Sequence, residues 1–526
     1  MISSKYFSKI AIVLTCIVLI LCVLAIGFSD KLASFVGNKG YALEYEEALF
    51  NTDKILDIDI IMDSDKWNEM LQSASQEVYY ECDVTINGTT FYQVGIRPKG
   101  NTSLSSIARD PNNNRYSFKL EFDQFVDGQT CFGLDKLILN NNYADATNMK
   151  EAIVYDMFKF LDADASLYNY AKISVNDEYF GVYLALEAVE DSFMLRNYGM
   201  EKGYLYKPDS MNFGGNNGDK KPEGNNGFSN MPEGGFRIPE NFVSGGQNGF
   251  QMPNFERNAQ EKTAQGGERM NRGGFGGMGG GSNLNYTGDN LDSYQTIWNS
   301  EVNDSSKSDH ERVVKALKNV HGRTNIEKYI DTTQVLKYMA VHNFSVNEDS
   351  LSGSMAHNYY LYEANGKISV LPWDYNLSLG GMRGGGSTSV INDPIDDLWQ
   401  GTKLFDFVLE NEEYKARYHE YYNKLVEEYL YGGKFEETYN RIRTQIDDLV
   451  KADPNAMYSY DQYTKGADVL YETVMLRAKS IKGQLKGTIP STSEEQRADS
   501  SKLIDASHLN LSDLGQFMMG GGFGKR

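Results

Sequence analysis

Residues 358–381 read NYYLYEANGKISVLPWDYNLSLGG. The pair Asn365-Gly366 suits the left-handed backbone of a two-residue hairpin turn. Apolar and aromatic residues flank it on both sides. The stretch therefore predicts two strands, His357–Tyr362 and Ile368–Pro372. Asp374 follows the second strand at once, on a turn that contains Trp373, a placement that solubility does not explain. Upstream, residues 332–346 and 309–319 carry helical patterning, and Asp349 comes just after the first of these. Downstream, a short Gly-rich loop covers Gly380–Ser387, and helix formers dominate from Thr402 to about Lys486.

The half before this hairpin reads differently. Asp57–Met62 (DIDIIM) alternates, and Val78–Asn87 runs into Asn87-Gly88, a second hairpin signal. Strands are expected at Tyr116–Phe122, Lys136–Asn140, Ala171–Val175 and Gly181–Glu187, the last two around Asn176-Asp177. One main helix should start near 148. Asp145 or Thr147 can cap it, and Met149, Ile153, Met157 and Leu161 form its apolar stripe. A second helix is expected over Val189–Asn197. The pattern predicts a two-lobed α+β arrangement: a strand-rich lobe over 41–209 and a mostly helical lobe over 286–488.

Between the lobes, 210–285 is rich in Gly, Asn, Pro, Met and Phe without periodicity. It reads as a disordered insertion. Residues 489–526 read as a flexible Gly/Met-rich tail. At the other end, Ile10–Phe28 is an uncharged, mostly apolar run of 19 residues, roughly 28 Å as a helix. Lys5 and Lys9 precede it. A single membrane anchor over 10–28 is expected, with 1–9 cytoplasmic and the bulk of the chain extracytoplasmic. Cleavage as a signal peptide, giving a secreted or coat-associated chain, is the alternative. Cys82 and Cys131 lie outside that run. An oxidising compartment would permit a disulfide, and two buried thiols are equally readable.

Over 526 residues, 40% are apolar, enough for a substantial core. Acids outnumber bases by 72 to 51, which disfavours nucleic acid as a partner. The six His show no ligand spacing and the four Cys no C-x-x-C, which argues against structural zinc and thioredoxin-like chemistry. The absence of G-x-S-x-G argues against a nucleophile-elbow serine hydrolase. Spacing alone leaves a glycosidase carboxylate pair open.

Four features could carry chemistry. Gly95–Ser103 (GIRPKGNTS) places Arg97 and Lys99 beside a turn at Gly100, whose backbone N–H groups could face a phosphate. Lys119 alone would be a solvated strand residue. Glu151 alone would serve the helix dipole or a capping box with Asn148. Together they match the strand-lysine and helix-glutamate pair that holds ATP phosphates in kinases. Asp349 and Asp374 bracket the hairpin as two carboxylates of a metal-dependent phosphoryl transfer would.

These pieces resemble the spore-coat CotH protein kinase family. The resemblance rests on GIRPKGNTS at 95–103, SFKLEF at 117–122, DATNMKEAIVYDMF at 145–158, YFGVYLALEAV at 179–189, GYLYK at 203–207 and the 358–381 stretch, in the family's order. It implies a divergent protein-kinase-like fold and protein phosphorylation with ATP and Mg²⁺ or Mn²⁺. It assigns Arg97, Lys99 and Gly100 to a phosphate-covering loop and Lys119 to the phosphates, with Glu151 as its partner. Glu187 would lead to the adenine-side hinge, and Trp373 would pack near the nucleotide. Asp349 becomes the catalytic acid and Asp374 the metal ligand. Asn376 stands where clear members carry a second metal-binding acid, and Lys150 where Arg is frequent. The protein substrate, a coat or surface protein, is not named by the sequence. The alternative function is a catalytically weak binding or structural module of a cell-surface or spore-coat layer.

Overall fold

The structure is a computed structural model that describes residues 42–199, 203–208, 282–381, 386–515 and 517. The expected anchor over 10–28 and the segment 1–9 lie outside the described residues. So does the expected insertion, except for 282–285, where Leu284 is buried. Among the described residues no helix is long and apolar enough to cross a membrane.

A short helix, α1 (Glu44–Phe50), precedes β1 (Leu56–Ile61). Next come β2 (Tyr80–Ile86), β3 (Thr89–Lys99), β4 (Ser117–Glu121) and β5 (Lys136–Asn140). The helix α2 (Lys150–Phe160) separates these from β6 (Tyr168–Val175) and β7 (Glu178–Glu187). The alternating residues of these strands build one core, with Ile58, Ile60, Val84, Ile96, Phe118, Leu120, Leu137, Leu139 and Ile173 all inside. Both hairpin turns read from the sequence in this half form with two left-handed residues, Asn87 and Gly88 at φ 50° and 84°, Asn176 and Asp177 at 51° and 66°.

The strands do not stack as an open lobe. They close into a seven-stranded barrel in the order β1-β2-β3-β4-β5-β7-β6. The closing seam is parallel and joins Leu56–Ile60 of β1 to Ala171–Val175 of β6. This corrects the expected two-lobed, kinase-like fold. Alternation fixes which residues face inward but does not say which strand edges meet, and this pair is more than a hundred residues apart. Closure leaves the barrel without a free edge.

Outside the barrel, α3 (Asp191–Tyr198) leads to β8 (Tyr204–Tyr206). Helices α4 (Lys307–His321) and α5 (Thr332–Ser345) follow, then the hairpin β9 (Tyr359–Ala364) and β10 (Lys367–Pro372), turned at Asn365 and Gly366 (φ 54° and 83°). Strand β8 adds to this hairpin, giving the order β10-β9-β8. Helices α6 (Glu412–Lys424), α7 (Lys434–Ala452) and α8 (Tyr460–Leu485) complete a second core around α2 and α5. All these elements belong to one compact unit. The α2 stripe is as read: Met149, Ile153, Met157 and Leu161 are buried. The N-cap is Met149, which makes no side-chain cap bond, so neither Asp145 nor Thr147 is the cap; both instead order the turn that leads into the helix. The Asp145 carboxylate accepts from the N–H groups of Thr147 (2.9 Å) and Lys150 (3.0 Å), and the Thr147 hydroxyl accepts from Met149 (3.0 Å).

Residues 489–515 are not a loose tail. Ile504 and Asn392 exchange two hydrogen bonds (3.0 and 2.8 Å), and the Ser387 hydroxyl donates to the Ala506 carbonyl. The Ala146 N–H donates to the Leu514 carbonyl (3.1 Å), just ahead of α2. Cys82 and Cys131 are free thiols buried in the barrel core rather than a disulfide, and burial pushes both thiols up, which disfavours the thiolate.

Gly515 adopts φ +102°, and a Cβ there would lie 2.4 Å from the Ala144 carbonyl oxygen. Gly88 is also left-handed, but a Cβ on it meets nothing within 4 Å. Gly88→Ala should therefore cost about 1–2 kcal/mol, the left-handed penalty alone. Gly515→Ala should cost clearly more, because backbone must move as well. Urea denaturation of both variants checks this, and equal losses would show that 511–517 is not held against 144–146.

Candidate functional site

The site lies on the outer face of β3, β4 and β5, opposite the β9–β10 hairpin. Register places Arg97 beside Lys119 and Lys99 beside Ser117. Inward neighbours fill the barrel, so these polar side chains all face out together.

Lys99 and Lys207 converge on one indole. Their ammonium nitrogens lie 5.5 and 5.2 Å from the Trp373 ring centroid. Lys207 also sits 5.4 Å from the Tyr360 ring, which meets Trp373 edge-on. Both lysines keep part of their surface open to solvent. Burial and the nearby Lys207 charge bring Lys99 down to about 8, against the opposing pull of Asp374 and Glu151. Two ammonium groups over one ring concentrate positive charge at this point.

The acids stand opposite. Asp374 lies two residues after the end of β10, at φ +62°, and the Asn347 amide donates to its backbone carbonyl (3.1 Å). Burial raises its carboxyl, Lys99 counters this, and Asp349 raises it further. Glu151, in the first turn of α2, is 2% exposed. Its carboxylate accepts from the Asn140 amide on β5 (2.6 Å) and from the Tyr375 N–H (3.3 Å). Burial, then the Asp374 charge, pushes it up to about 8. Asp349 is held by the His357 Nε2 (2.7 Å) and the Asn358 amide (3.1 Å).

The structure thus brings Lys99, Glu151, Asp349, Trp373 and Asp374 into one neighbourhood. Asn376 is adjacent; its amide nitrogen donates to the Tyr143 carbonyl (2.8 Å), which leaves its oxygen as an acceptor. Gly100, at φ +132°, makes the turn that ends β3.

Three expected residues are engaged elsewhere. Lys119 does not pair with Glu151. It binds Glu190 (2.7 Å), which also holds Lys136 and lies at the start of α3. Burial alone would raise the Glu190 carboxyl, but the two lysines hold it down to about 2. Arg97 is on Glu77 (2.5 Å). Glu187 is fully buried, accepting a hydrogen bond from the Tyr45 hydroxyl (2.6 Å) and an ion pair from Arg196 (2.6 Å). The reason is register: Lys119 opens toward β5 and the α3 start, while Lys99, at the strand end, reaches the α2 start. The reading of single residues missed Lys207, Tyr360, His357 and Glu190. The signal for Lys207 was present in GYLYK, once that stretch is seen to pair with the hairpin.

A divalent ion fits this donor set. Among the described residues no three His, Cys, Asp or Glu form a ready-made cage. Mg²⁺ needs only one or two carboxylates when phosphate oxygens and water complete its shell. Asp374 and the Asn376 oxygen are hard donors of that kind. The Asp374 charge raises Glu151, and the Asp349 charge raises Asp374, a repulsion among acids that a cation would relieve.

The Glu151 shift has a pH consequence. Its folded value lies above its ordinary 4.5, so between about 4.5 and 8 the folded chain binds more protons than the unfolded one. Its contribution to stability is present at low pH and is lost as pH rises through that window. In chelator, the melting temperature should therefore fall from pH 5 to 8. Glu151→Gln should flatten that fall, and an unchanged slope would contradict the assignment.

The model of the family described as CotH kinase protein matches residues 96–235 and 254–481, more than half of the chain. The chain is also similar to the inner spore coat protein H of Bacillus subtilis (strain 168), at 20% identity over 368 residues. That match covers 69% of this chain and 81% of that protein. The matched residues include every member of the cluster around Asp374, and the C-terminal segment that packs beside it lies beyond the match. The chain belongs to the CotH kinase protein family.

Proposed function

We propose that this chain is an extracytoplasmic phosphotransferase that moves the terminal phosphoryl group of ATP to a protein hydroxyl, with Mg²⁺ or Mn²⁺. The observation that carries the reading is the gathering of two lysines, Lys99 and Lys207, over the Trp373 ring, where Lys99 feels the charges of Asp374 and Glu151. Lysines supply charge for phosphates, and the acids supply hard donors for the ion. When bound, the ion neutralises charge on the phosphate oxygens. Asp374, with Asn376 beside it, would hold it. Glu151 keeps Lys99 and the Tyr375 backbone in place. Asp349, oriented by His357 and Asn358, is the group placed to accept the proton of the substrate hydroxyl. The substrate class that fits the relative's printed name is a coat or surface protein.

A second reading, a binding module of such a layer, is favoured by one observation. Lys119, the residue expected to hold phosphates, is engaged by Glu190.

The purified chain incubated with labelled ATP and Mg²⁺ or Mn²⁺ separates the two. Asp349→Asn should keep the nucleotide-induced thermal shift and lose about 10²–10⁴ in rate. Asp374→Asn should lose both, and Lys207→Met should mainly weaken nucleotide binding. Neither incorporation nor a shift in the wild-type chain would leave the binding module standing.

A further inference from the structure

Both acid-bearing loops are tied to one buried side chain. His342 lies on α5, one turn before that helix ends, and is 1% exposed. Its Nδ1 is 3.0 Å from the Tyr375 hydroxyl, and its Nε2 is 2.7 and 3.1 Å from the hydroxyls of Ser352 and Ser350. Its ring lies flat on Tyr338 and tilted against Trp399, so it cannot swing. Arg477, fully buried, donates to the Asn343 and Phe344 carbonyls and fixes the helix end from which the loop departs.

Ser350 and Ser352 both reach the Asn347 carbonyl (2.8 and 3.3 Å). The two hydroxyls also meet each other (3.0 Å). With both turned to Asn347 they accept from Nε2 and Nδ1 accepts from Tyr375; in the other tautomer Nδ1 donates to Tyr375 and Nε2 accepts from Ser352, so the ring joins the same groups in either form. Burial pushes the imidazole down to about 3, so the ring stays neutral at working pH.

Each tie ends beside an acid. On one side Asn347 accepts from the Asp349 N–H (3.2 Å) and donates to the Asp374 carbonyl (3.1 Å). On the other, Tyr375 follows Asp374 in the chain and donates its N–H to Glu151. We propose that His342 is a positioning residue that sets the placement of Asp349 relative to Asp374 by joining the Ser350–Ser352 turn to Tyr375. Its consequence for rate rests on the phosphotransfer reading; the tie itself does not.

Two measurements decide. The first is hydrogen–deuterium exchange on the full chain. His342→Phe fills the ring space without polar atoms and should speed exchange in both 346–353 and 374–378. His342→Gln, which restores one donor and one acceptor, should return both segments toward wild type. Exchange unchanged in these two segments, or faster only within α5, would overturn the proposal. The second is steady-state phosphate transfer. His342→Phe should lower kcat about 10²-fold with little change in KM for ATP, the loss that a shift of about 1 Å between reacting groups produces. His342→Gln should recover most of it, and a wild-type kcat in His342→Phe would overturn the proposal. If His342→Phe does not fold, Ser352→Ala removes one partner at a half-buried position and should lower kcat in the same direction. A wild-type kcat for Ser352→Ala together with unchanged exchange would then overturn it. Absence of transfer by the wild-type chain would sink the phosphotransfer reading, while the exchange result still decides whether the tie exists.

Discussion

The Glu151 carboxylate is where the separate parts of this molecule meet. It is buried, and it takes hydrogen bonds from Asn140 on the barrel and from the Tyr375 backbone on the turn after β10. It stands in the first turn of α2, whose apolar stripe anchors the helical core. A buried carboxylate without partners would be costly, so these bonds constrain barrel, helix and turn to one arrangement. That arrangement sets Asp374 against Lys99. The polar cluster is therefore a product of how three pieces of chain satisfy one acid.

Two tiers of contact surround this point. Lys99, Lys207 and Asp374 keep part of their surface open, and Trp373 beneath the lysines is buried. Behind them, His342, Tyr375, Asn347, Asn358, Tyr143 and Arg477 are occupied with one another and with the backbone. Rigid support of this kind matters for any chemistry, because misplacement of about 1 Å can cost two orders of magnitude. The C-terminal segment adds to it. Leu514 and Phe517 pack on the turn at Tyr143–Ala146, whose carbonyl at Tyr143 receives the Asn376 amide. This support lies beyond residue 481, where the family match ends.

Local signals were legible in the sequence. Asn-Gly pairs marked turns because their left-handed backbone is cheap only for such residues, and Asp145 and Thr147 announced the start of α2. Asp349 and Asp374 stood out because each acid follows an element that should be buried. Contacts between distant segments were not legible. Nothing in DIDIIM says that β1 meets β6 in parallel and closes a barrel. Lys119 and Lys99 both follow the alternation of outward residues, so pattern could not decide which of them reaches Glu151. Lys207 acquires meaning only when β8 joins β9, a three-residue strand too short to show periodicity.

On the proposed function, Asp374, Lys99 and Lys207 form one site for a divalent ion and phosphates. A crystal of the chain grown with Mn²⁺ and a non-hydrolysable ATP analogue, examined by anomalous diffraction, decides this. A manganese peak is expected on the Asp374 carboxylate, with phosphate oxygens reaching Lys99 and Lys207. A peak away from Asp374, or phosphates held instead at Lys119 and Lys136, would contradict it.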